Sequence, residues 1–139
     1  MALWTWSAVD GLRCLTPEPG VHGGRLVGGT LVVSRQSLDA DGTITTVQPA
    51  RGTPRTVTSF AEPPGLVPRI TLHRTGERAL RTALLLPSWH DPGTLLPVLM
   101  DPYGGPHAQR VVAARGAHLT SQWFAEQGFA VVVVDGRGT

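Results

Sequence analysis

Residues 95–139 decide the fold: LLPVLMDPYGGPHAQRVVAARGAHLTSQWFAEQGFAVVVVDGRGT. Leu95–Asp101 is apolar on both faces, which suits a strand buried in a parallel sheet with helices on either side. A glycine-rich loop, Pro102–His107, follows. Ala117–Gln127 has helical periodicity, with Leu119, Trp123 and Phe124 predicted as its apolar stripe. Gly128 suits the C′ position that ends such a helix. Phe129–Val134 is again apolar on both faces. The pattern predicts a right-handed βαβ unit, and hence an α/β class of fold.

Working outward, Arg69–Arg74 and Leu80–Leu86 read as two further strands joined at Thr75-Gly76, the antiparallel edge of the same sheet. Ahead of them lies Ala61–Pro68, with three prolines and a glycine. Proline fixes φ and removes a donor, so this segment reads as a linker between domains. Residues 21–60 read as a β-meander. Leu26–Arg35 is its first β-rich run. Thr43–Gln48 and Arg55–Phe60 follow, separated by turns at Asp39–Gly42 and Ala50–Pro54. Trp4 and Trp6 lie at strand spacing, and Leu12–Leu15 reads as a short strand. The expected division is 1–60 meander, 61–68 linker and 69–139 the α/β segment.

Composition narrows the function. Of 139 residues 41% are hydrophobic and 16% charged, which is globular; 17 Gly and 12 Pro favour short strands and many turns. The net charge is +2, and the basic residues, all Arg, are scattered from Arg13 to Arg137 without a run. Nucleic-acid binding, which needs a basic stripe to track phosphates, is not expected. The single cysteine, Cys14, allows no intramolecular disulfide and no cysteine-based metal site. Asp39, Asp41 and Gly42 start like an EF-hand loop, but position twelve would be Ala50, so a hairpin turn is the better reading and no metal or other cofactor is expected. The N-terminus does not read as a signal peptide and no apolar run is long enough to span a bilayer, so a cytoplasmic, non-membrane protein is the expectation.

Ligand groups in such a sheet belong at the carboxyl ends of the strands, which predicts two candidate regions, Asp101–His107 and Asp135–Thr139. In the first, Gly104 and Gly105 let backbone approach a ligand, and Pro106 stiffens the exit. Tyr103 keeps its phenolic proton at neutral pH and can donate to a developing oxyanion. From spacing alone, a structural tyrosine and two turn glycines is the better reading. His73 has no partner at ligand spacing and reads as a strand histidine. Trp89 and His90 could line a cleft, with a surface loop the better reading, and His107 could line the site, with a loop histidine the better reading. Asp135-Gly136-Arg137-Gly138 could also open a dinucleotide fingerprint, but lacks the third glycine and the helix.

DPYGGPH, a helix containing QWFAEQGF and a strand ending in VDGRGT together resemble the prolyl oligopeptidase family of serine peptidases, and its dipeptidyl peptidase IV-like branch in particular. The resemblance implies that 69–139 is the N-terminal part of an α/β-hydrolase domain, and that 1–60 is like the last blade of a β-propeller. It implies peptide substrates and no cofactor. It maps an oxyanion-hole donor onto Tyr103, supported by Gly104, Gly105 and Pro106, and the strand-end motif onto Asp135 and Arg137. The nucleophile of such enzymes lies in G-x-S-x-G, followed by acid and base. The six serines (Ser7, Ser34, Ser37, Ser59, Ser88 and Ser121) have no such flanking glycines. The isolated chain is therefore expected to be an inactive fragment. The alternative is a non-catalytic remnant or interaction module, a homo-oligomer included, that pairs through exposed edge strands.

Overall fold

In the computed structural model, which describes residues 1–103 and 107–138, the chain is mostly β-sheet with one short helix. It divides into two units, Met1–Pro63 and Pro64–Thr139.

The first unit begins with a hairpin, β1 (Trp4–Ser7) and β2 (Gly11–Cys14), in which Trp6 pairs with Leu12. Four antiparallel strands follow in sequential order: β3 (Val21–Val27), β4 (Thr30–Gln36), β5 (Ile44–Gln48) and β6 (Arg55–Val57). The run expected as one strand from Leu26 to Arg35 is two strands around a hairpin. Gly28 and Gly29 have φ of 54° and 76° between the paired residues Val27 and Thr30. Two successive positive φ values are what a type I′ turn requires, and glycine supplies them without strain. The N-terminus is tied in by its ammonium, which donates to Gly20 O at 2.7 Å, and by Leu3 N, which donates to buried Thr16 Oγ1 at 2.8 Å. Val33 is the only hydrophobic residue of this unit that is fully buried among the described residues.

The second unit holds a four-stranded sheet in the order β7-β8-β10-β9, from β7 (Ile70–Thr75), β8 (Leu80–Leu85), β9 (Val98–Tyr103) and β10 (Ala130–Asp135). The first three in that order are antiparallel neighbours; β9 and β10 are parallel. Between them run a 3-10 turn, Arg115–His118, and helix α1 (Leu119–Glu126). The core joins Ala83, Leu85, Val131 and Val133 of the sheet to Ala125 of α1 and to Val111.

The helix is shorter than 117–127, and the face it buries differs from the expected stripe. Ser121, Gln122 and Ala125 face the sheet, while Trp123 and Phe124 are 54% and 38% exposed. Small residues let α1 sit close to the strands, and Gln122 bonds at their ends in a way hydrophobic periodicity does not register. Trp123 and Phe124 instead stack edge to face on the outer side, with ring centres 5.0 Å apart. The sheet face opposite the helix keeps Val98 and Met100 of edge strand β9 60% and 56% exposed.

Candidate functional site at the ends of the parallel strands

The parallel register sets Asp101 beside Val133 and Tyr103 beside Asp135. Side chains alternate along a strand, so Asp101 and Tyr103 share the face of Val133 and Asp135. Tyr103 is half-buried there as the last residue of β9.

Asp135 is only 4% exposed. Its two carboxylate oxygens accept hydrogen bonds from consecutive backbone amides, Arg110 N at 2.8 Å and Val111 N at 3.1 Å. A buried carboxylate needs such partners, and two charge-assisted bonds satisfy it. Arg110 then turns its side chain to the neighbouring strand. Its Nη2 lies 2.6 Å from Asp101 Oδ2 and its Nη1 lies 3.4 Å from Oδ1, a forked pair with both side chains about a third exposed. Ser121 Oγ of α1 adds a long bond to Asp101 Oδ2, at 3.5 Å. The chain leaving β9 after Tyr103 is thereby returned and fastened to both strands at residues 110 and 111.

Behind this point His118 is 1% exposed and donates from Nε2 to Val112 O at 3.0 Å. Burial holds its pKa below the usual histidine value; the bond to Val112 and the charges of Asp101 and Asp135 oppose that shift, and Arg110 reinforces it. A donating Nε2 and a lowered pKa describe a structural, neutral imidazole.

At the other end of the sheet, fully buried Gln122 accepts from Arg69 N at 2.7 Å and donates to Leu86 O at 3.0 Å and Glu126 Oε1 at 2.7 Å. Glu126 in turn accepts from Ser88 N and Ser88 Oγ, both at 2.9 Å. A hollow of about 250 Å³ opens nearby, lined by Arg69, Ile70, Thr71, Leu84, Leu86, Pro87 and His90. Tyr103, Asp101, Arg110 and Asp135 do not line it.

Of the residues predicted from sequence, Tyr103 and Asp135 are brought side by side. Arg137 is exposed in the turn after β10, and His107 is exposed. Gly104, Gly105 and Pro106, like Thr139, lie outside the described residues. Sequence reasoning missed the roles of Arg110, Gln122 and Glu126. The one available signal for the first was Asp101, a charge closing an apolar run with no partner nearby in sequence. Among the described residues no group of three or more His, Cys, Asp or Glu gathers as a metal site, and no helix is long and apolar enough to cross a membrane.

No family model matches the sequence. Solved structures do match the fold. Porphyromonas gingivalis dipeptidyl peptidase 4 aligns over 99% of this chain and 21% of its own, with TM-score 0.74 and 23% identity. Pyrococcus horikoshii acylaminoacyl peptidase aligns over 98% of this chain and 22% of its own, with TM-score 0.61 and 17% identity. The chain thus spans about a fifth of the length of the proteins it matches. These neighbours are serine peptidases of the prolyl oligopeptidase family. The likeness falls on the family that the sequence motifs resemble, and at this identity it is a likeness of fold.

Proposed function

We propose that these 139 residues are a segment of a serine peptidase of the prolyl oligopeptidase and dipeptidyl aminopeptidase type. Such an enzyme hydrolyses peptide bonds after proline or a small residue through an acyl-enzyme. In this reading Met1–Pro63 contains the last blade of a β-propeller, and Pro64–Thr139 opens an α/β-hydrolase domain. The observation that carries it is the placement of Tyr103. It ends β9 at the carboxyl side of a parallel pair, directly beside Asp135, within the motifs DPYGGP and VDGRG. The thin core of the first unit and the uncovered Val98 and Met100 of the second are consistent with sheets that pack against further parts of a larger protein.

Tyr103 is assigned the oxyanion-hole donor: its phenol O–H would meet the negative oxygen of the tetrahedral intermediate. One such donor is worth about 3–4 kcal/mol in an assembled site. With no G-x-S-x-G among these residues, the 139-residue chain alone is expected to give no turnover of an X-Pro amide above that of its Tyr103→Phe variant.

The test is expression of the complete reading frame that contains these codons. Labelling of one serine by a fluorophosphonate and hydrolysis of an X-Pro anilide are expected. A complete frame without a G-x-S-x-G serine and without labelling overturns the peptidase reading and leaves the interaction-module alternative.

A further inference from the structure

Tyr103 follows Asp101 by two residues on the same face of β9 and pairs in register with Asp135, and both carboxylates carry ties that the proposed chemistry does not itself require. Both carboxylates are engaged by one short stretch. The Arg110 guanidinium grips Asp101, while the Arg110 and Val111 amides cap Asp135. Arg110 is therefore bonded to both strands at once, by side chain to one and by backbone to the other. A structural anchor for the returning loop needs only the buried Asp135 cap. The forked pair to Asp101 is about a third exposed, and its burial alone gives it no evident role in the core. What it fixes is the strand end immediately preceding Tyr103.

We propose that Asp101, Arg110 and Asp135 form a clamp of positioning residues that sets the direction of the Tyr103 phenol. This rests on the reading of Tyr103 as the oxyanion donor, and explains how a donor on a sheet-edge strand is held to the tolerance such a site needs. A phenol free to swing would lose much of its value, because preorganised donors act without reorganising when charge develops. Forked arginine–carboxylate pairs fix geometry as well as adding energy, and lysine does not reproduce the fork.

Tyr103 is the only tyrosine among these 139 residues, so ring-13C tyrosine labelling of the 139-residue chain gives one set of NMR signals that reports this phenol alone. Arg110→Met and Asp101→Asn are each expected to shift those signals. The double variant should shift them no further than either single, because the two act as one unit. Arg110→Lys should restore them in part. Glu126→Gln, which loses bonds to Ser88 and Gln122 but touches none of the clamp, should leave them in place. In Asp135→Asn the Arg110 and Val111 amides should exchange with solvent roughly 10- to 100-fold faster, the loss expected for charge-assisted bonds. Ring signals unmoved by Arg110→Met and Asp101→Asn, or moved equally by Glu126→Gln, overturn the clamp. If those variants do not fold, side-chain motion in the unaltered chain decides. A Tyr103 ring and an Arg110 guanidinium that both show restricted motion by NMR relaxation support the clamp, and either of them freely averaged overturns it. None of these readings needs substrate. The clamp can therefore fail while the peptidase reading stands. Ring shifts in the 139-residue chain, with no amide hydrolysis by the enzyme from the complete reading frame, would refute the peptidase reading and leave the clamp as architecture.

Discussion

Replacing Gln122 by Leu should be among the most damaging single changes in the second unit, although leucine is similar in size and more hydrophobic. Ile70 and Leu85 are the last paired residues of the β7–β8 ladder at that end. Arg69 and Leu86 lie one step beyond, and the Gln122 amide bonds to both, accepting from one backbone N–H and donating to the other backbone carbonyl. It thus extends the ladder by a side chain while pinning α1 across it. Leucine removes both bonds. A backbone group left unpaired in a buried place costs about 1–3 kcal/mol. Arg69 is exposed, so its N–H partly recovers water, whereas Leu86 is half-buried and its carbonyl recovers less. Added apolar burial by leucine offsets about 1 kcal/mol. The net expectation is a loss of roughly 2–3 kcal/mol. Gln122→Glu should be comparably harmful at neutral pH, since it places a second carboxylate where Gln122 Nε2 now sits 2.7 Å from Glu126 Oε1. Urea unfolding of the 139-residue protein, followed by circular dichroism, measures this. A change within about 0.5 kcal/mol at constant m, the range of ordinary surface substitutions, would show that the Gln122 amide does not hold this strand end.

Three further outcomes follow from the same structure. Gly20→Ala should disrupt the first unit, because a Cβ there would lie 2.5 Å from Gln36 O and the backbone sits at φ 145°; retention of its β-sheet circular dichroism at full stability would contradict this. His118 stays neutral when folded, with its pKa below 6.5, while the unfolded chain takes up the proton near 6.5. Stability should therefore be complete above pH 6.5 and decline as pH falls toward the folded pKa, with a slope of at most about 1.4 kcal/mol per unit; a His118→Gln variant that keeps the same decline would assign it to another group. Burial raises the Glu126 pKa, but hydrogen bonds from Gln122 and Ser88, with the charge of Arg69, outweigh it, and the net value is below 4.5. Its contribution is thus present above 4.5 and lost as pH falls through the lowered folded value, so Ser88→Ala should move the acid-unfolding midpoint upward; an unchanged midpoint would show that Ser88 does not hold this carboxylate.

Phe129–Val134 was legible as a strand from its both-faced apolarity, whereas the run before Asp101 was legible only in part: β9 begins at Val98, not Leu95, and as an edge strand it keeps Val98 and Met100 exposed instead of burying both faces. The turn at Asp39–Gly42 was legible from residue type. The Gly28-Gly29 hairpin was not separated from its flanks, because the β-branched residues continue on either side and only the two positive φ values break the run. The helix face was misjudged for a physical reason. Periodicity weighs Trp123 and Phe124 by size, whereas the sheet selected Ser121 and Ala125 for closeness and Gln122 for its bonds. At the candidate site, Tyr103 and Asp135 were visible as strand-end residues. The grip of Arg110 on Asp101 was not, since a loop arginine carries no periodic signal that names its partner.

The oxyanion-hole assignment is decided by the phenol of Tyr103. In the enzyme expressed from the complete reading frame, Tyr103→Phe removes one hydroxyl and leaves the ring, so folding and substrate binding should persist. The steady-state constants for an X-Pro anilide at neutral pH are the measurement. The expected result is a kcat lower by about 100- to 1000-fold with KM little changed, as for loss of a donor that acts only in the transition state. A Tyr103→Phe enzyme with kcat within a few-fold of the unaltered protein would contradict the assignment of this residue to the oxyanion hole.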